Sequence, residues 1–515
     1  MKHGLGVAIF SVLSALTLSV LGCGGSGEGM GVLDPYPTSS PTVGPTVSPT
    51  PTPTPDPEKI TTYNVVTNKG NIYNPTRQFA AGDFAYAVQG FVPAGAGLDD
   101  TSPIKYRLMR YYLDAGKGEH PVVAPQEVEV ELRGSSTYGK LNLQNPFWLA
   151  GKVTPGDNGT LGDDDDILYL GITDLGSSRG VYVISMGKRV DGWSKGIARN
   201  ALNGKAEVAS TNPLTCDFDD VSIFWTDCVE EGKVCHYSYD KLESKTTPDY
   251  CHIVVSGLNY PAVINMQGPW GAVSCQGNDR LVLFAKSDAF HPDKDYLSPL
   301  VLGEKLAFLS PSSYDNHCPF DLTWTQALDP DNGNKLTSYL AITSGLTIEG
   351  VGPASQAKDK GAIWLYKDSG ASDLKDVTGS KATYSKLIDG LQYPVSICFP
   401  YEDKATQLDG SGKPLWPYLD MIYASTGSSI LPKDPETPGS IEFLRYNLSR
   451  GKVDTGKTKT VFNNISDPFH VILNNAISND NNHTSILFTS GWNWGTDTSS
   501  NGNIQGIANF DPTNL

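Results

Sequence analysis

Short apolar runs alternate with polar turns along this chain, and the recurring unit opens on a dipeptide X-Pro. An apolar strand follows, then a turn rich in Asp, Asn and Gly, then a second apolar strand ending in Ser, Thr, Asp or Gly. The clearest copy starts at Tyr393-Pro394, with apolar runs at 395–399 and 421–427. Asp467-Pro468 and Tyr260-Pro261 open two more, and looser copies start at Asn74-Pro75, Asn145-Pro146, Asn212-Pro213 and Cys318-Pro319. The openings lie 48 to 75 residues apart. Proline lacks an N–H and belongs at the first residue of a strand or on an edge. Asp, Asn and Gly clusters between apolar runs make hairpin turns.

A strand-built repeat at this period predicts a propeller or an array. Packing such sheets round an axis covers their faces and leaves only short edges. The expected fold is all-β, a seven-bladed β-propeller spanning 58–515. Residues 60–66 predict a strand that pairs with 504–510 and closes the ring. Blade one is expected to hold 84–88, 106–112 and 127–132. Blade two pairs 167–172 with 180–184, blade three pairs 221–225 with 234–239, and blade four takes 281–285 as its second strand.

Composition agrees: 53 Gly, 35 Pro and 24 Tyr suit short strands and turns better than helices. The formal net charge is −17, and Lys and Arg are scattered, so the basic patch of a nucleic-acid binder is missing and no nucleic-acid partner is expected. The N-terminus is a separate address. Met1-Lys2-His3 precedes an apolar run over 4–21, which reads as a secretory signal. Residues 24–57 are rich in Pro, Thr and Gly and predict a disordered tether, with a reach of about 100 Å if extended as polyproline II.

Two resemblances follow from these residues. Val20-Leu21-Gly22-Cys23 resembles the lipobox of bacterial lipoproteins, which implies lipid on Cys23, and Gly24 after it implies the outer membrane. X-Pro, an apolar strand, then "ILYLGITD" or "MIYASTG", then "GVYVI" or "SIEFLRY" resembles the blades of NHL-, YncE- and SMP-30-type propellers. That resemblance implies that the strand after Pro lines a central channel. It also implies that the loops after each second strand form a ligand-binding face. Those loops are long at 288–304, 345–360, 428–438 and 491–501, and long loops on a rigid scaffold carry recognition. Candidate residues of this face are Asp174, Asp227, Asp288, Trp492, Asn493 and Trp494.

An exported chain lives where disulfides persist. Cys228 and Cys235 flank a hairpin turn and are expected to bridge, and Cys216 and Cys251 share a blade and form a second candidate pair. Zinc bound by Cys228, Cys235, His236, Cys251 and His252 is the alternative. Gly176 to Gly180 matches G-x-S-x-G, but that elbow requires a strand-to-helix turn and here joins two strands. Calcium has three candidate turns, at 163–166, at Asp329, Asp331 and Asn332, and at 479–482; none follows the spacing of a known calcium loop, so no metal or other cofactor is assigned. No catalytic residue is assigned. The sequence therefore points to a surface-anchored binding or scaffold module for a protein or glycan. The alternatives are a metal-dependent, lactonase-like hydrolase and a purely structural envelope protein.

Overall fold

In the computed structural model the chain forms seven sheets of three to six strands. The structure describes residues 61–64, 76–91, 104–113, 124–134, 138–177, 179–203, 210–239, 242, 251–267, 270–278, 280–285, 319–345, 361–367, 383–400, 405–426, 438–465, 468–474, 484–490 and 503–510. Cys23, Asp288, Trp492, Asn493, Trp494 and the turn 479–482 lie outside the described residues, as do the signal segment and the tether.

Each sheet is one blade. The innermost strands, in chain order, are Gln78–Ala81, Pro146–Thr154, Pro213–Phe218, Pro261–Gln267, Pro319–Asp329, Pro394–Cys398 and His470–Asn474. Each touches the innermost strand of the next blade, and the seventh touches the first, so the ring is closed. All seven innermost strands begin at or just after the X-Pro dipeptides. In blades two to six the proline pairs with the last residue of the second strand: Asp174, Asp227, Cys275, Ser344 and Ser425. The register shifts immediately afterwards in each case. Proline cannot donate to the ladder, so each inner strand starts with a bulge.

The closing strand is where the sequence puts it. Thr61–Asn64 pairs antiparallel with Asn503–Phe510 and becomes the outermost strand of blade seven, Thr61 opposite Ala508. Two expectations are corrected. Glu129–Arg133 does not stay in blade one; it pairs in parallel with Lys195–Asn200 on the outer edge of blade two and brings Tyr138–Lys140 with it. The second strand of blade four is Trp270–Cys275, which makes Arg280–Ala285 the third strand. The segment after that third strand therefore leaves from the end of the blade opposite to the one expected.

Neighbouring blades interlock through glycine and proline. The third strands of blades three, five and six start with Gly232, Gly361 and Gly439. A Cβ added there would meet Cδ of the next blade's proline at 2.4 Å from Pro261, 2.4 Å from Pro394 and 2.3 Å from Pro468. At these three junctions the next blade's proline occupies the space a side chain would need, so the position requires glycine. We predict that Gly439→Ala lowers stability by roughly 2–3 kcal/mol, the cost of overpacking. Gly410→Ala, where nothing lies within 4 Å, should change it by less than about 0.5 kcal/mol. Thermal unfolding of both variants checks this; equal melting points would contradict the interlock.

Candidate functional site

Inner strands are paired on one side only, so their other edge would expose bare amides and carbonyls to the axis. At the junctions from blade three to blade seven, side chains of the preceding blade satisfy some of these amides. Thr215 Oγ1 accepts from the Ile264 amide at 3.1 Å. Asp217 Oδ2 accepts from the Met266 amide at 2.7 Å. Asn265 Oδ1 accepts from Trp324 at 3.3 Å, Asp321 Oδ2 from Ile397 at 3.0 Å, and Ser396 Oγ from Val471 at 3.2 Å. Carbonyls are served the same way: Thr173 donates to Leu214 O at 2.7 Å and Thr215 to Ala262 O at 2.7 Å.

The residue two places after each proline defines one level of the axis: Arg77, Trp148, Thr215, Val263, Asp321, Ser396 and His470. Arg77 is buried, its guanidinium 4.5 Å from the Trp148 ring centre. Its Nε donates to His470 Nε2 at 3.0 Å. The Gln78 amide approaches His470 Nδ1 at 3.3 Å. A neutral imidazole offers one lone pair, so the shorter, charge-assisted contact holds it. Burial, reinforced by the Arg77 charge, pushes the His470 pKa well below 6.5 and keeps the ring neutral.

Two carboxyl groups share this axis. Burial raises Asp217 to about 6, against the opposing pull of the Met266 amide and Arg77. Burial also raises Asp321 well above 3.8, again against Arg77, and the Asp217 charge adds to the rise. Asp217 Oδ1, Asp321 Oδ1 and both side-chain amide atoms of Gln78 make no protein hydrogen bond. Among the described residues the axis is thus lined by the Arg77 guanidinium, two carboxyls that resist ionisation and a neutral imidazole. It can hold a proton or hydrogen-bond a small polar guest. Sequence reasoning missed it, although the offset from each X-Pro was the available signal.

The expected binding-face carboxylates have another task. Asp174 is buried and accepts from the amides of Gln144 and Asn145, both at 2.8 Å, and from Gly176 at 2.8 Å. Asp227 is buried and accepts from Thr211 at 3.1 Å and Asn212 at 2.8 Å. Each ties the end of a second strand to the two amides preceding its own blade's proline. They are latches, because those amides have no ladder partner.

The cysteine pairs are also corrected. Cys235 stands opposite Trp225 in the register, not opposite Cys228, and Cys228 is a buried thiol. Cys216 is a buried thiol on the innermost strand of blade three, while Cys251 is on the outermost. Two strands lie between them, which at about 4.8 Å per strand exceeds the roughly 7 Å limit of a disulfide. Burial raises both the Cys216 and the Cys228 thiol pKa, which makes them poor nucleophiles. Among the described residues no three His, Cys, Asp or Glu side chains gather as a metal-ligand set. Asp329 caps its turn by accepting from Asp331 at 3.1 Å and pairs with Lys367 at 2.8 Å.

No protein-family profile matches this chain, and no curated protein matches it. Solved structures do. The WD40 domain of SCAP from fission yeast is 10% identical, with 90% of this chain and 98% of that one covered and a TM-score of 0.37. The N-terminal domain of Nup159 is 8% identical over 85% and 90%, with a TM-score of 0.39. A 6-phosphogluconolactonase candidate from Bacteroides uniformis is 11% identical over 79% and 92%, with a TM-score of 0.38. Similarity at this level concerns the fold.

The axis yields a pH prediction. A carboxyl whose pKa is higher folded than unfolded contributes stability that is fully present below pH 3.8 and lost as pH rises through about 6. His470 works in the opposite sense, costing stability as pH falls below 6.5. Asp217→Asn keeps an acceptor for the Met266 amide and removes only the carboxyl ionisation. Relative to the parent it should gain about 1 kcal/mol between pH 5 and pH 8. Denaturant melts at both pH values test this; a pH-independent difference contradicts the raised pKa.

Proposed function

We propose that this chain is a lipid-anchored propeller of the bacterial cell envelope that acts as a binding or scaffold module for a protein or glycan. Cys23 carries the anchor and residues 24–57 hold the propeller off the membrane. The observation that supports this reading is the use of the axis: Thr215, Asp217, Asn265, Asp321 and Ser396 are each occupied by a backbone amide of the next blade. Thr215, Asn265, Ser396 and one oxygen each of Asp217 and Asp321 are thereby committed to holding neighbouring blades together. Recognition is left to the turns and loops at the two ends of the blades.

A second reading, a channel-mouth hydrolase of the lactonase class, draws on the orphaned oxygens of Asp217 and Asp321 and on the raised pKa of Asp217. Metal-dependent turnover would be its form.

One experiment separates the two. The purified chain is assayed on a glycan array and by affinity capture from solubilised envelope, with a lactone and ester panel run in parallel with and without added Ca²⁺ or Zn²⁺. The binding reading expects saturable binding to a defined glycan or protein that survives Asp217→Asn, and no turnover above the Asp217→Asn background. Chelatable turnover that Asp217→Asn abolishes would overturn it in favour of the hydrolase.

A further inference from the structure

A guanidinium carries five N–H donors and stays charged at every pH a protein meets. Arg77 is 3% exposed and uses only Nε within the described residues, on the neutral ring of His470 at 3.0 Å. Its two Nη groups find no acceptor there. The Trp148 ring, whose centre lies 4.5 Å from the guanidinium carbon, is fully buried, and its Nε1–H also lacks an acceptor. Blades one and two thus bring unmet donors and a positive charge to one point of the axis.

The two carboxyls of the axis do not answer them. Asp217 Oδ2 is held by the Met266 amide at 2.7 Å and Asp321 Oδ2 by the Ile397 amide at 3.0 Å. Their Oδ1 atoms make no hydrogen bond, so neither carboxyl touches Arg77. Both still feel its charge. Burial raises Asp217 and Asp321, lowers His470 and raises Cys216, and Arg77 adds a downward pull on all four. The guanidinium therefore stands among groups from blades three, five and seven without a counter-charge in contact.

A buried charge left in that state is costly, and so is a buried donor with no acceptor. An anion removes both costs, whereas water removes only the second. Two nearby carboxyls disfavour a doubly charged guest such as phosphate or sulfate. A planar group with one charge and two oxygens matches the guanidinium fork with two parallel hydrogen bonds.

We propose that the axis beside Arg77 and Trp148 is a binding site for a small monocarboxylate, gripped by the Arg77 fork with the Trp148 Nε1–H as a further donor. The site goes beyond the reading above, because the guest sits in the axis whatever partner meets the blade ends.

Binding takes up a proton. A negative guest favours the neutral form of Asp217, so affinity rises as pH falls through about 6. Asp321, raised well above 3.8, and His470, held well below 6.5, act in the same direction as they gain protons. Cys216 stays a neutral thiol.

The test titrates the full chain with sodium formate and follows the indole N–H resonance of Trp148, assigned by its loss in Trp148→Phe, together with thermal unfolding. Formate should shift that resonance saturably and raise the melting temperature above that in sodium chloride of equal ionic strength. Affinity at pH 5 should exceed that at pH 8 by about tenfold or more, and Asp217→Asn should raise the pH 8 value toward the pH 5 value. Trp148→Phe, read by thermal unfolding, should keep the parent melting temperature in chloride and weaken formate binding about tenfold. Arg77→Gln should abolish it; Trp148→Phe and Asp217→Asn decide the matter where Arg77→Gln does not fold. Stabilisation by formate no greater than by chloride overturns the site, as does tighter binding of sulfate. Affinity that is equal at pH 5 and pH 8, or unchanged in Trp148→Phe or in a folded Arg77→Gln, overturns it too. None of these results touches the protein or glycan reading, which the capture experiment tests separately.

Discussion

A strand at the edge of a sheet must find partners for its free amides and carbonyls, and a ring of seven blades turns seven such edges toward one axis. Everything distinctive about the centre of this molecule follows from that constraint. Water could serve those groups, but here the preceding blade does so with a side chain. Thr215 serves Ile264, Asp217 serves Met266, Asn265 serves Trp324, Asp321 serves Ile397 and Ser396 serves Val471. Each bond crosses a blade boundary, so it does two jobs: it satisfies an edge and sets the spacing of neighbouring sheets. The cost is burial of carboxyl groups, visible in the raised pKa of Asp217 and Asp321. Arg77 offsets part of that cost from the centre of the column.

The same constraint organises the rim. Prolines that open the inner strands remove a donor where the ladder begins, and the amides just before them need acceptors. Asp174 and Asp227 supply those acceptors in blades two and three. Gly232, Gly361 and Gly439 clear space for the next proline. These latches consume carboxylates that would otherwise mark a binding face, and so the polar positions with the strongest sequence signal are structural.

How much of this is legible in the sequence depends on how local each signal is. X-Pro followed by an apolar run is local, and it locates all seven inner strands. The pairing of Thr61–Asn64 with Asn503–Phe510 was legible from ring closure, because a lone strand at one terminus requires a partner at the other. Glu129–Arg133 was misplaced because its alternation identifies a strand but not its neighbour, and its parallel pairing leaves no turn to read. Trp270–Cys275 was missed because Trp-Gly-Ala-Val-Ser-Cys is short, and its glycine breaks the pattern; the structure shows the Phe284 ring lying where a side chain at Gly271 would be. The role of Asp174 and Asp227 was hidden for another reason. An aspartate at a strand end looks the same whether it faces a ligand or a backbone amide.

The central claim is that cross-blade side-chain bonds hold the inner-strand edges of neighbouring blades together, and amide-resolved hydrogen exchange of the native chain tests it most directly. The account predicts that Ile264, Met266, Trp324, Ile397 and Val471 exchange only with global unfolding, as slowly as amides in the middle strands, and that Ser396→Ala selectively releases Val471. Exchange of these five at the rate of exposed turns, or no change at Val471 in that variant, would contradict it.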